Sequence, residues 1–84
     1  MEVTTKGEQM VTVYTTPSCT QCRMTKIELD KLGVSYAEVN LAEDAEAMDL
    51  VRSKGFQKAP VVNAGEDWWA GFQPDRIAVL QQVA

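Results

Sequence analysis

Met10 to Cys22 reads MVTVYTTPSCTQC, and the change of pattern inside it decides the architecture. The first six residues alternate and are rich in β-branched side chains, the pattern of a strand. Thr16-Pro17-Ser18 interrupts that strand and leaves Ser18 or Cys19 to cap a helix. Cys19-Thr20-Gln21-Cys22 therefore stands where a strand gives way to a helix. The first thiol lies among unpaired N–H groups at the positive end of the helix dipole. A thiolate is stabilised there, and the thiolate is the nucleophile in disulfide exchange. Cys22 follows about one turn later, near enough to close a disulfide on Cys19. The pattern points to dithiol redox chemistry.

Composition weighs against most other uses of two cysteines. A structural zinc site takes about four ligands, usually Cys and His. The chain has two cysteines and no histidine, so no metal site is expected. A disulfide closing so small a loop adds little stability, because the gain grows with loop length. An inert buried pair is the plain alternative. An iron–sulfur cluster shared between two chains is the sharper rival, since it would use the same helix-start thiolate.

Beyond the motif the elements alternate. The first helix runs to Leu32, with Met24, Ile27, Leu29 and Leu32 as its expected apolar face and Gly33 as its stop. Val34 to Asn40 reads as a second strand. Leu41, Ala45, Met48 and Val51 recur at helical spacing, with acids early and Arg52 and Lys54 late, as the helix dipole favours. Val61-Val62-Asn63 and Asp67 to Ala70 form a hairpin around Ala64-Gly65-Glu66. Gln73-Pro74-Asp75 opens a last helix, whose buried stripe is Ile77 and Leu80 with Val79 or Val83. This order implies an α/β domain over residues 10–84, its first two strands parallel, a terminal antiparallel hairpin, and helices on both sheet faces. Residues 1–9 fit no element and read as a flexible tail.

With 84 residues, 45% hydrophobic and 24% charged, the chain is expected to be one small globular domain. No apolar run approaches the roughly 20 residues of a membrane span, and Met1 to Gln9 lacks the apolar stretch of a signal peptide. A cytoplasmic, reducing location is expected, where a CxxC is redox-active more often than structural. A net charge of −4 and the lack of a basic patch argue against nucleic acid. The residues themselves suggest a scheme in which Cys19 attacks a target disulfide and Cys22 resolves the mixed disulfide. Nothing acidic lies in the first strand, so no carboxylate from that strand takes the proton of Cys22. Arg23 and Lys26 either add positive potential at the thiolate or are ordinary solvated charges.

Three segments together carry a resemblance. Cys19-Thr20-Gln21-Cys22 is similar to the CxQC of NrdH-redoxins, glutaredoxin-like members of the thioredoxin superfamily. Trp69-Ala70-Gly71-Phe72-Gln73-Pro74-Asp75 resembles their WSGFRPD segment, and Gly55 to Val62 (GFQKAPVV) resembles their stretch before the hairpin. The likeness extends from Met10 to about Val83. It implies the thioredoxin fold in its small glutaredoxin form, βαβαββα, with a mixed sheet of four strands and three helices. It implies a dithiol–disulfide oxidoreductase, a monomer, that donates electrons to the large subunit of class Ib ribonucleotide reductase. Thioredoxin reductase would reduce it, with NADPH as the ultimate source and no bound cofactor beyond the redox-active disulfide.

The same resemblance assigns roles. Cys19 is the attacking thiol and Cys22 the resolving one, with Thr20 and Gln21 between them on the partner-binding surface. Pro60 is expected to be a cis-proline facing the disulfide, leaving Ala59 extended and able to pair with a substrate strand. Trp68 and Trp69 point to opposite faces if they share a strand. The motif match places Trp69, Gly71 and Phe72 on the partner-contacting or cleft-closing surface. Ala70 and Gln73 replace the serine and arginine usual in that family, so a hydrogen-bond network through those side chains would be altered. Two other readings use similar chemistry: a glutathione-dependent glutaredoxin and a glutathione-ligated iron–sulfur carrier. Glutaredoxins present Gly-Gly, a short polar residue and Asp before the last helix. Gly71-Phe72-Gln73-Pro74 offers one glycine, an aromatic residue and a proline instead, which favours the protein-disulfide reductant.

Overall fold

The computed structural model describes residues 11–83. The expected tail 1–9 and Met10 lie outside them, as does the side chain of Val83. The order is β1 (Val11–Thr15), α1 (Thr20–Lys31), β2 (Ala37–Asn40), α2 (Ala45–Ser53), β3 (Val61–Ala64), β4 (Asp67–Ala70) and α3 (Pro74–Val83). This is the small glutaredoxin form of the thioredoxin fold. The sheet runs β2-β1-β3-β4. β1 pairs parallel with β2, aligning Thr15 with Asn40, and antiparallel with β3, aligning Tyr14 with Val61. β3 and β4 form a hairpin in which Val62 faces Trp69.

Strand alternation divides the core in two. Val11, Val13, Val62 and Trp69 point to one face and pack with Leu29 of α1 and with Ile77 and Leu80 of α3. Tyr14 and Val61 point to the other and pack with Leu41 and with Val51 of α2. The sheet is thus sandwiched, with α1 and α3 on one face and α2 on the other. Each fully buried aliphatic side chain here contributes about 1.5–3 kcal/mol of transfer free energy.

Several boundaries and faces differ from the sequence expectation. In α1 the buried positions are Cys22, Thr25 and Leu29, whereas Met24 and Ile27 are 41% and 52% exposed. Burial of Cys22 fixes the rotation of the helix, and Thr25 fits inside because its hydroxyl donates to the Gln21 carbonyl at 2.9 Å. β2 begins at Ala37 rather than Val34. Val34 instead closes a Schellman motif, its N–H donating to the Leu29 carbonyl and that of Gly33, at φ +73°, to Asp30. α2 starts at Ala45 rather than Leu41, because Asp44 caps it by accepting the Ala47 N–H at 3.0 Å. Ala64 belongs to β3, so the hairpin turn is Gly65-Glu66, and in α3 Val79 is 56% exposed.

Candidate active site

Cys19 is the N-cap of α1, in extended conformation, and its Sγ accepts the Cys22 N–H at 3.1 Å. Its carbonyl accepts the Arg23 N–H at 3.2 Å, the first turn of the helix. Ser18, just before it, has φ +60°, a left-handed conformation that non-glycine residues seldom adopt. That turn delivers the chain from β1 into the helix within a few residues. Cys19 and Cys22 are joined by a disulfide, their Cα atoms 5.2 Å apart. The two sulfurs differ in access: Cys19 is half-buried, while Cys22 is 2% exposed.

The other motifs converge through hydrogen bonds. Gln21 Oε1 accepts the Phe72 N–H at 3.1 Å, joining α1 to the loop after β4. The Gly71 N–H donates to the Pro60 carbonyl at 2.8 Å, and the Ala59–Pro60 peptide bond is cis. A Cβ on Gly71, at φ +85°, would sit 3.5 Å from Gln21 Oε1. Gln73, in place of the expected arginine, donates from Nε2 to the Ala70 carbonyl at 2.8 Å and so braces the same loop. Thr20 is exposed beside the sulfurs, and Ala59 is half-buried ahead of Pro60.

Trp69 does not sit where the motif match places it. It is 4% exposed, packed in the core between sheet and α3 with the Arg76 guanidinium 5.4 Å from its ring centroid. Its Nε1 is buried with no hydrogen-bond acceptor among the described residues. Trp68 is the more accessible of the pair, stacked 5.9 Å from Tyr14 and 6.4 Å from Phe56, under Lys54. The alternation is as expected, but the faces are exchanged. The register Val62↔Trp69 forces this, since Val62 is core on the α1–α3 face.

A carboxylate that the sequence does not advertise also reaches the site. A cleft of about 370 Å³ is lined by Thr15, Cys19, Cys22, Arg23, Lys26 and Glu38, among others. Glu38 comes from β2, not from the preceding strand β1. Its Oε2 accepts the Lys26 ammonium at 2.9 Å and the Thr15 hydroxyl at 3.1 Å. The hydrogen bond from Lys26 is the main reason that the Glu38 carboxyl is held below its ordinary value, with Thr15 adding to it against partial burial. Two signals were available: β2 lies parallel beside β1, and Lys26 follows Cys22 by one helical turn. Among the described residues no group of three or more potential metal-ligating side chains occurs, and no helix is long and apolar enough to cross a membrane.

Comparison with known proteins agrees with this geometry. The glutaredoxin family model matches residues 11–69. The glutaredoxin-like protein NrdH of Salmonella typhimurium is 40% identical over 67 residues, 80% of this chain and 83% of that protein. The NrdH protein of Lactococcus lactis is 37% identical over 71 residues, 84% of this chain and 99% of its own length. The structure of NrdH-redoxin from Escherichia coli, a glutaredoxin-like protein described by its thioredoxin-like activity profile, superposes with a TM-score of 0.82 at 38% identity. That match covers 84% of this chain and 93% of the other. With these identities over four fifths of its length, the chain belongs to the NrdH group of the glutaredoxin family.

Proposed function

We propose that this protein is a dithiol electron carrier that reduces protein disulfides and supplies class Ib ribonucleotide reductase through its large subunit. Thioredoxin reductase, drawing on NADPH, would regenerate it. The observation that carries this reading is the unequal setting of the two sulfurs. Cys19 is half-buried at the helix start, where its thiolate would be stabilised once the disulfide is reduced, while Cys22 is buried one turn on.

The reaction then balances in two steps. The Cys19 thiolate attacks one sulfur of the target disulfide, forming a mixed disulfide and releasing the other target sulfur as thiolate. Cys22 loses its proton and attacks Cys19 Sγ, forming the Cys19–Cys22 bond and releasing the second target sulfur. Two electrons pass to the target, and the two protons given up by the cysteines end on its thiols. Thr20, Gln21, Ala59, Pro60, Gly71 and Phe72 would form the contact surface, with Ala59 pairing to an extended target segment. The protein would act as a monomer in the cytoplasm.

Thioredoxin reductase is favoured over glutathione as the electron source by the donors left in the loop after β4. The Phe72 N–H is already held by Gln21, and Pro74 has none to give. Parallel NADPH-coupled assays test the assignment, one with thioredoxin reductase, the other with glutathione and its reductase. Sustained turnover is expected with the first and slow turnover with the second at millimolar glutathione. Faster turnover with glutathione would make the protein a glutaredoxin in activity as well as in fold.

A further inference from the structure

Lys26 and Glu38 form an ion pair at 2.9 Å in the cleft that Cys19 and Cys22 also line. Lys26 lies four residues after Cys22, hence on the same side of α1. Thr15, buried beneath them on β1, donates its hydroxyl to the same Glu38 oxygen and fixes the carboxylate from below. We propose that this pair controls how readily Cys22 gives up its proton, and with it the reducing strength of the Cys19–Cys22 couple, because Glu38 occupies the Lys26 ammonium that would otherwise stabilise a thiolate. The inference rests on the dithiol-carrier reading above and adds to it positioning residues at the same site.

Charge accounting around the cleft supports the role. Cys22 is 2% exposed, so bulk water screens its developing charge poorly and neighbouring ions act on it strongly. Of the residues lining the cleft, α1 contributes Arg23 and Lys26, β2 contributes Glu38, and the rest besides the cysteines carry no charge. Tyr36 and Asp30 stand behind the pair. Burial chiefly raises the Tyr36 hydroxyl, with Asp30 and Glu38 adding to this and Lys26 opposing it. Among the described residues Glu38 is the one carboxylate lining the cleft, and it is paired with Lys26. Removing either partner exposes the sulfurs to an unbalanced charge, of opposite sign in the two cases. The side chains of the pair are 30% and 42% exposed, so the effect is moderate and sensitive to salt.

The test is a cycle of Glu38→Gln, Lys26→Met and the double variant. Cys22 alkylation by iodoacetamide at fixed pH is followed in a Cys19→Ser background. The two-cysteine proteins are equilibrated in glutathione redox buffers. Glu38→Gln is expected to speed Cys22 alkylation about threefold and to shift the equilibrium about twofold toward the dithiol, roughly 9 mV. Lys26→Met moves both readouts the other way, the double variant returns near the parent, and molar salt shrinks every difference. A pair that merely ties β2 to α1 would change the urea midpoint and leave both thiol readouts alone, which would overturn the proposal. Slower alkylation in Glu38→Gln would also overturn it, by making Glu38 the direct proton acceptor. If Glu38→Gln fails to fold, Lys26→Met still tests the opposite sign. A disulfide that exchanges with neither glutathione buffers nor thioredoxin reductase would defeat the carrier reading, while the alkylation series still decides this one.

Discussion

Phe72 donates its backbone N–H to the side-chain oxygen of Gln21, 51 positions earlier in the chain, across 3.1 Å. The bond closes the loop after β4 over the first turn of α1. The adjacent Gly71 N–H holds the Pro60 carbonyl, so three segments that are remote in sequence become one rim. A glutamine at the third position of the CxxC thereby occupies one of the backbone donors of that rim.

Replacing Gln21 with alanine frees the Phe72 N–H while leaving both cysteines in place. A neutral hydrogen bond contributes about 1 kcal/mol net, which corresponds to roughly a fivefold change. Glutathione-coupled turnover is expected to rise by up to about that factor, with the thioredoxin reductase rate falling by less. Unchanged glutathione kinetics would show that Gln21 does not restrict access.

Cys22→Ser is expected to accumulate target proteins as mixed disulfides on Cys19, because only Cys22 can release them. Cys19→Ser should trap none and show no insulin reduction. Non-reducing gels and an insulin turbidity assay separate the two variants. Insulin reduction by Cys19→Ser would invert the roles.

The reduced protein should also carry an acidic Cys19 thiol, below its ordinary value. The thiolate would accept the Cys22 N–H and face the dipole of α1. Thiolate absorbance titrated in Cys22→Ser and Cys19→Ser should show the lower midpoint in the former. The reverse order would remove the helix-start argument.

How much of this was legible in the sequence depends on how local the signal was. β1, the CxxC and a helix start capped at Ser18 or Cys19 were readable because strand alternation and cap chemistry act over a few residues; the structure assigns the cap to Cys19. The phase of α1 was not. Met24 and Ile27 look like core by type, yet burial of Cys22 and Thr25 turns them to solvent. Trp68 and Trp69 could be assigned to opposite faces from alternation alone. Which one is buried depends on pairing with Val62 in another strand. Glu38 was missed for a similar reason: its part in the site exists only through the parallel register of β1 and β2 and through Lys26.

That misread helix phase gives a direct contrast in stability. Leu29 is fully buried between the sheet and α3, so Leu29→Ala should cost about 2–5 kcal/mol. This is a large share of the total for so small a domain. Ile27→Ala, at a position 52% exposed, should stay within about 0.5 kcal/mol. Urea unfolding of both variants measures this. Comparable losses at the two positions would mean that α1 is rotated in solution.

Glu38 provides an acid-dependent term whose sign follows from its surroundings. Lys26 first, and Thr15 after it, hold the folded carboxyl below the ordinary value of 4.5, partial burial opposing them. The unfolded chain therefore takes up the Glu38 proton at higher pH than the folded one. The stabilisation is present above that ordinary value and is lost as pH falls through the folded one. Because the side chain is 42% exposed, screening limits it to about half a kcal/mol. Urea unfolding of the parent and Glu38→Gln should therefore differ by about that amount near pH 7 and converge towards pH 3, with molar salt reducing the gap. Lys26→Met should erase most of the same pH dependence, since it removes the leading cause of the shift. A gap that widened on acidification would mean that Glu38 is destabilised by its site, and that the ion pair does not hold in solution.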